Sequence, residues 1–276
     1  TMEKTTGELK ADAILDSLNW GTASAIWERS DEKNNGYPTF KDIPVFASWE
    51  EVGAAASAPS SQSALSPGTE SNPYLIRSPE ELAWFANQVN NNGQINLCGK
   101  LMADISLFGG VYTGGNAYDT NDEEILSRAL LWIPIGSDSD GKRYEGIFDG
   151  NGHTISRMRV SGSGKLGLFG TVGNSTGEAR TAIKNLGIST SLVQMQTTGT
   201  YAGGIAGYLN GPELTVSLCW NEGSLTGTGN YFGGVIGGIG AVNGVVLDGC
   251  GNSVGGIIFN SSYDYVGGVL GGLESG

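Results

Sequence analysis

The sequence predicts an all-β fold, a right-handed parallel β-helix-like solenoid closed at its N-terminal end by one α-helix. Three observations predict it. Four tetrapeptides align, Gly167-Leu168-Phe169-Gly170, Gly204-Ile205-Ala206-Gly207, Gly234-Val235-Ile236-Gly237 and Gly268-Val269-Leu270-Gly271, at intervals of 37, 30 and 34 residues. A second register runs alongside: Tyr201, Tyr231 and Tyr265 each stand two residues before a Gly-Gly pair, and Leu218-Cys219-Trp220-Asn221 matches Gly249-Cys250-Gly251-Asn252. Finally, the repeats are rich in glycine and β-branched residues and lack helical periodicity. A repeat of about 30 residues with that chemistry reads as one coil of a solenoid.

Each repeat reads as a strand. Taking Tyr201, Gly203, Ile205, Gly207 and Leu209 as one face, the next two repeats give Tyr-Gly-aliphatic-Gly-aliphatic again. Alternate residues of a strand share a face. That face is expected to point inward, with Leu168, Ile205, Val235 and Val269 as one ladder. The other face carries Phe169, Ala206, Ile236 and Leu270, so the sheet is either covered on both sides or exposes an apolar stripe.

Upstream, Ser78, Pro79 and Glu81 are N-cap, first-turn proline and capping-box partner of a helix over 79–91. Its stripe Leu82, Phe85, Ala86 and Val89 suits an amphipathic lid over an open core end. Phe148-Asp149-Gly150-Asn151-Gly152-His153-Thr154-Ile155 reads as strand, Gly-rich turn, strand. Residues 46–72 read as a linker, being Ala/Ser/Pro-rich from Ala54 to Asn72. In residues 1–45, Thr5 and Glu8 fit a capping box, and Asn35-Gly36-Tyr37-Pro38-Thr39-Phe40 fits a turn and a short strand. That segment looks like the end of a preceding module. The expectation is an excerpt from tandem modules, with 1–45 able to cover a vacant solenoid end and 73–276 forming the solenoid.

Composition excludes several function classes. Glycine accounts for 46 of 276 residues without a collagen period, and formal charge is −13. From Asn185 to Gly276 there is no Lys or Arg. A nucleic-acid partner and attraction to anionic membranes are therefore not expected, and no apolar run is long enough for membrane insertion. Three cysteines and one histidine match no zinc spacing. No metal, cofactor or catalytic residue is assigned.

From about Asn72 onward the chain resembles the GLUG-motif repeat proteins of bacterial cell surfaces. The residues that carry this are Asn72-Pro73-Tyr74-Leu75-Ile76, the Glu80-Glu81-Leu82 helix, Ala103-Asp104-Ile105-Ser106-Leu107, Trp132-Ile133-Pro134-Ile135-Gly136, Phe148 to His153 and the four tetrapeptides. The resemblance implies a β-helix-like solenoid in secreted or wall-attached proteins. Such repeats also accompany some immunoglobulin A-cleaving metallopeptidases as non-catalytic parts, and no peptidase motif is present here.

Five groups of residues are candidate sites. Asp138, Asp140, Glu145 and Asp149, near Lys142, Arg143 and His153, fit either turn chemistry or the paired carboxylates of a sugar-cleaving β-helix enzyme. Asp119 to Glu124 offers oxygens to calcium without EF-hand spacing, and reads better as a solvated loop. His153 reads as a hydrogen-bonded turn residue. Cys219 and Cys250 occupy equivalent positions and are read as unpaired thiols. Tyr201, Tyr231 and Tyr265 are read as an inward ladder. The expected function is a non-catalytic, extracellular surface module, for adhesion or as a display spacer. Its partner would be a host or bacterial glycan or protein, with head-to-tail contacts between solenoid ends. The alternative is a glycoside hydrolase or polysaccharide lyase using the acidic cluster.

Overall fold

A computed structural model describes residues 27–29, 38–40, 48–107, 130–137, 142–174, 180–189, 192–195, 201–227, 230–240, 244–253, 257–259 and 265–274. The chain divides into two compact units, Thr1–Phe46 and Ala47–Gly276. In the first, Trp27–Arg29 pairs antiparallel with Pro38–Phe40. The expected helix around Leu9 to Leu18, and the idea that 1–45 covers a solenoid end, lie outside the described residues.

The second unit is mostly β, with five parallel sheets. Four successive repeats each lay down five short strands. The third, for example, gives Leu214–Ser217, Trp220–Asn221, Ser224–Gly227, Tyr231–Gly233 and Ile236–Ile239. Each strand pairs with its equivalent in the neighbouring repeat, and the aligned motifs stand in register. Phe169 faces Ala206, Ala206 faces Ile236, and Ile236 faces Leu270. Tyr201 faces Tyr231, which faces Tyr265. Among the described residues the sheets do not close into a barrel. Upstream strands Tyr74–Ile76 and Gly99–Leu101 extend the sheet of Ile147–Asp149.

The single-strand reading of each glycine motif needs correction. The chain breaks at Gly204-Ile205, so Tyr201–Gly203 and Ala206–Leu209 are strands of different sheets. Parity therefore does not run through the motif, and Ile205 and Ala206 are both fully buried. The expected ladder holds for Leu168, Ile205 and Val235, each fully buried, while Val269 in the last repeat is half-buried. Phe169, Ala206 and Ile236 are also fully buried, and every residue of the strands Phe169–Val172, Ala206–Leu209 and Ile236–Ile239 is buried, so their sheet is covered on both sides there.

The second motif glycine is explained by a close approach of strand layers. A Cβ on Gly207, Gly237 or Gly271 would lie within 3 Å of backbone atoms of Leu166, Ala202 or Phe232 respectively. No side chain fits there without moving main chain.

Two helices stand at the N-terminal side: α1, Trp49–Ala55, and α2, Pro79–Asn90. Ser78 Oγ accepts from Glu81 N at 3.3 Å. The Glu81 carboxylate accepts from Arg77 N at 2.6 Å, one residue earlier than a regular capping box. α2 buries Leu82, Phe85, Ala86 and Val89. Phe85 packs edge-on against Phe148 (5.7 Å between centroids) and Tyr144 (6.1 Å), and both rings meet Phe169. Complete burial of such a ring contributes about 1.5–3 kcal/mol, so this cluster ties helix to sheets.

The linker expectation for 46–72 also needs correction. Trp49 and Val52 of α1 are buried, and Gly53 lets α1 approach Ala83 of α2 closely. The following loop is held by buried Asn72, whose amide donates to Ser63 O and Leu65 O and accepts from Ser63 N. Side-chain amides that satisfy backbone groups fix a loop without bulky residues.

At the other end the last repeat exposes Val246, Tyr265, Val266 and Leu273, the last at 67%. Its five strands are the terminal strands of their sheets.

Candidate functional site

The hollow with the most chemistry lies between the helices and the Trp132–Ser137 segment. Ser48 starts α1 by accepting from Glu51 N, which places Trp49 at the first position of the helix. Asn90 of α2 donates to Pro134 O at 3.1 Å and accepts from Gly136 N at 2.8 Å. These two bonds lash the Trp132 segment to the helix. Trp132 Nε1 donates to Leu168 O at 3.0 Å, so its ring is anchored to the sheet core. Trp49 and Trp132 meet edge-on, 6.4 Å between centroids.

The hollow between them is about 200 Å³. Ala83 and Ala86 supply apolar lining, and Asn87, Asn91 and Lys142 supply polar groups. Among the described residues, two buried atoms in this lining have no partner, Trp49 Nε1 and Ser137 Oγ. Buried polar atoms left unpaired cost about 1–3 kcal/mol each, so a native pair of them in one hollow calls for an explanation. A second hollow of about 520 Å³ shares Trp132, Pro134 and Ser137 and extends to Ser161 and Lys165. Ile133 and Leu131 stand at its edge, 40% and 39% exposed. The two together make a groove.

The acidic cluster is not assembled as a carboxylate pair among the described residues. Asp138 and Asp140 lie outside them. Glu145 is held through its backbone, its N–H donating to Ile95 O and its carbonyl accepting from Thr181 Oγ1. Asp149 Oδ1 accepts from Asn151 N at 2.8 Å and Asn185 Nδ2 at 3.0 Å, and Oδ2 lies 3.8 Å from Lys184 Nζ. That is the turn chemistry the sequence offers as the plainer reading. Asn151 and Gly152 take positive φ in the same turn. The Asp119–Glu124 loop lies outside the described residues.

His153 Nδ1 stands 3.3 Å from Asp104 Oδ1, which also accepts from Thr154 N at 2.9 Å. The Thr154 N–H first, with help from His153, holds the Asp104 carboxyl below its usual range against the opposing effect of burial. Both residues fix where the turn enters the next strand.

The tyrosines stack as a ladder: Tyr201 on Tyr231 at 4.5 Å and 5°, Tyr231 on Tyr265 at 4.8 Å and 8°. Lys165 Nζ sits 4.2 Å over the outer face of Tyr201. Tyr201 and Tyr208 hydroxyls both donate to Glu274. The Tyr201 hydroxyl is pushed well above its usual range, by burial first and then by the Glu274 carboxylate. The inward expectation fails in part. Tyr201 is buried, but exposure rises along the ladder to 57% at Tyr265.

The groove escaped sequence reasoning because its walls come from residues far apart in the chain. One signal was available: Trp49 is a tryptophan placed directly after a good N-cap, inside a stretch read as linker.

No family model matches the chain. Among curated proteins it is 27% identical over 177 residues to a "Putative Gly-rich membrane protein" of Evansella cellulosilytica, covering 63% of this chain and 17% of that protein. It is 29% identical over 174 residues to "Halomucin" of Haloquadratum walsbyi, covering 62% of this chain and 2% of that protein. The chain thus spans a small part of either relative. A solved structure of a "putative immunoglobulin A1 protease" from Bacteroides ovatus aligns at 21% identity and TM-score 0.49, over 75% of this chain and 63% of that one.

Proposed function

We propose that this chain is a non-catalytic module displayed outside a bacterial cell, a right-handed β-helix-like solenoid of the GLUG-motif kind that binds glycan chains in the groove beside its capping helices. The observation that carries the binding reading is the coincidence of two tryptophans with two unpaired buried polar atoms in one groove. An indole N–H only donates, while a serine hydroxyl donates or accepts. A saccharide supplies hydroxyl oxygens for both and an apolar ring face for the tryptophan walls. The open second hollow suits an oligosaccharide rather than a single sugar. The names of the two relatives, a membrane protein and halomucin, support a place at the cell surface.

A glycan array probed with the whole chain, followed by tryptophan fluorescence titration of any hit, tests this. Trp49→Phe keeps an aromatic wall and deletes the donor. It is expected to weaken binding about 5- to 10-fold, the worth of one hydrogen bond. Without ligand the same change should leave Tm within about 2 °C, because removing an unpaired buried donor offsets the smaller ring. A blank array, or equal affinity of Trp49→Phe and parent, defeats the glycan reading.

The same preparation should not cleave pectin-like, mucin or starch-type glycans, nor casein. Turnover that disappears in Asp149→Asn would overturn the non-catalytic reading and restore the carbohydrate-enzyme alternative.

A further inference from the structure

The geometry points to Cys219 and Cys250 as a redox pair that forms a disulfide and staples the last repeat to the one before it. The inference is independent of the glycan reading and starts from register. Ser217 faces Asp248 and Trp220 faces Gly251, so the two cysteines between them face each other across adjacent repeats. Neighbouring strands put such Cα atoms about 4.8 Å apart, inside the span that a disulfide accepts.

The Cys250 sulfur leans across the gap. Cys250 Sγ lies 3.6 Å from Asp248 O in its own repeat and 3.4 Å from Val216 O in the repeat of Cys219. Cys219 Sγ lies 3.3 Å from Ser217 O in its own repeat and 3.6 Å from Ile183 O in the repeat before. Both cysteines follow a corner residue of positive φ, Leu218 (51°) and Gly249 (61°). They therefore stand at a corner of the stack, outside any regular strand.

Access is asymmetric. Cys219 is fully buried, while Cys250 is partly exposed. The neighbouring Cys219 side chain pushes the Cys250 thiol down to about 6, the largest of its influences. The same contact, together with burial, pushes Cys219 up. Cys250 is then the attacking sulfur at neutral pH and Cys219 the resolving one. With a small-molecule disulfide as oxidant, the Cys250 thiolate attacks one of its sulfurs. A mixed disulfide forms and one small thiolate leaves. Cys219 gives its proton to solvent and attacks the Cys250 sulfur, and the second small thiolate leaves. The protein has lost two electrons and the reagent, now two thiols, has gained them.

The test uses the whole chain, reduced, then treated with oxidised glutathione at pH 7.5 and alkylated in denaturant. The expected result is a product about 2 Da lighter before alkylation, with one alkyl group, on Cys98, and a peptide map joining Cys219 to Cys250. Cys219→Ser removes the resolving thiol, so a glutathione adduct should persist on Cys250 at about ten times its parent level. Oxidation of the parent should slow as pH falls below 6, where Cys250 protonates. Should the variant fail to fold, the parent peptide map decides alone. A stable glutathione adduct on Cys250 with Cys219 still alkylatable, or a Cys250-linked dimer, overturns the inference.

Discussion

Val235→Asp is expected to unfold the second unit outright at room temperature, or to lower its stability by more than about 4 kcal/mol. Val235 is fully buried, and its main chain is fully used: its N–H donates to Val269 O at 3.0 Å, and its carbonyl accepts from Ile205 N and Ala206 N. A carboxylate there has aliphatic neighbours Ile205 and Val269 in the stack and no cation from residues 185–276. An unpaired charge in such a place ranks among the most destabilising of single changes. Val269→Asp provides the comparison, since it alters the same motif position in a half-buried setting. It should cost below about 1 kcal/mol, close to an ordinary surface substitution. Denaturant melts of the two variants against the parent measure the contrast. Equal midpoints for all three would show that the inward ladder is misassigned.

The parts of this fold legible in the sequence are those that repeat. Recurrence of the Gly-x-x-Gly, Tyr and Cys motifs at intervals of 30 to 37 residues is a one-dimensional record of which residues stack, and the registers Tyr201–Tyr231–Tyr265 and Phe169–Ala206–Ile236–Leu270 follow it. Helix α2 was legible for a different reason, because cap chemistry and a 3.6-residue stripe are local. What stayed hidden depends on three dimensions. Alternation suggested one strand through Gly204-Ile205, yet a corner there makes consecutive residues Ile205 and Ala206 both buried. Low bulk suggested a linker in 46–72, yet one amide, Asn72, organises that loop. The groove was invisible because an unpaired Trp49 Nε1 is a statement about neighbours that composition does not encode.

Gly234→Ala and Gly268→Ala test why the first motif glycine is there. Neither position has the positive φ that excludes side chains, so backbone strain does not separate them. Their surroundings do. A Cβ on Gly234 would collide with Gly268 O of the following repeat and with the Asn252 side chain. Asn252 cannot yield freely, because its Oδ1 accepts from Asn221 Nδ2 at 2.9 Å. Asn221 is itself fixed by bonds to both Gly223 N and Gly223 O. At Gly268 a Cβ would meet nothing within 4 Å. Overpacking against main chain costs about 1–3 kcal/mol, whereas a tolerated Gly→Ala gains about 0.4–1 kcal/mol through the unfolded chain. For a unit of this size, Gly234→Ala should lower Tm by about 5–10 °C, and Gly268→Ala should leave it unchanged or slightly raised. Gly204→Ala, which meets the Asn221 side chain, should fall with Gly234→Ala. Calorimetry on the three variants reads this directly. If Gly268→Ala proves as harmful as Gly234→Ala, the glycine is required by its own strand, and the next repeat does not impose it.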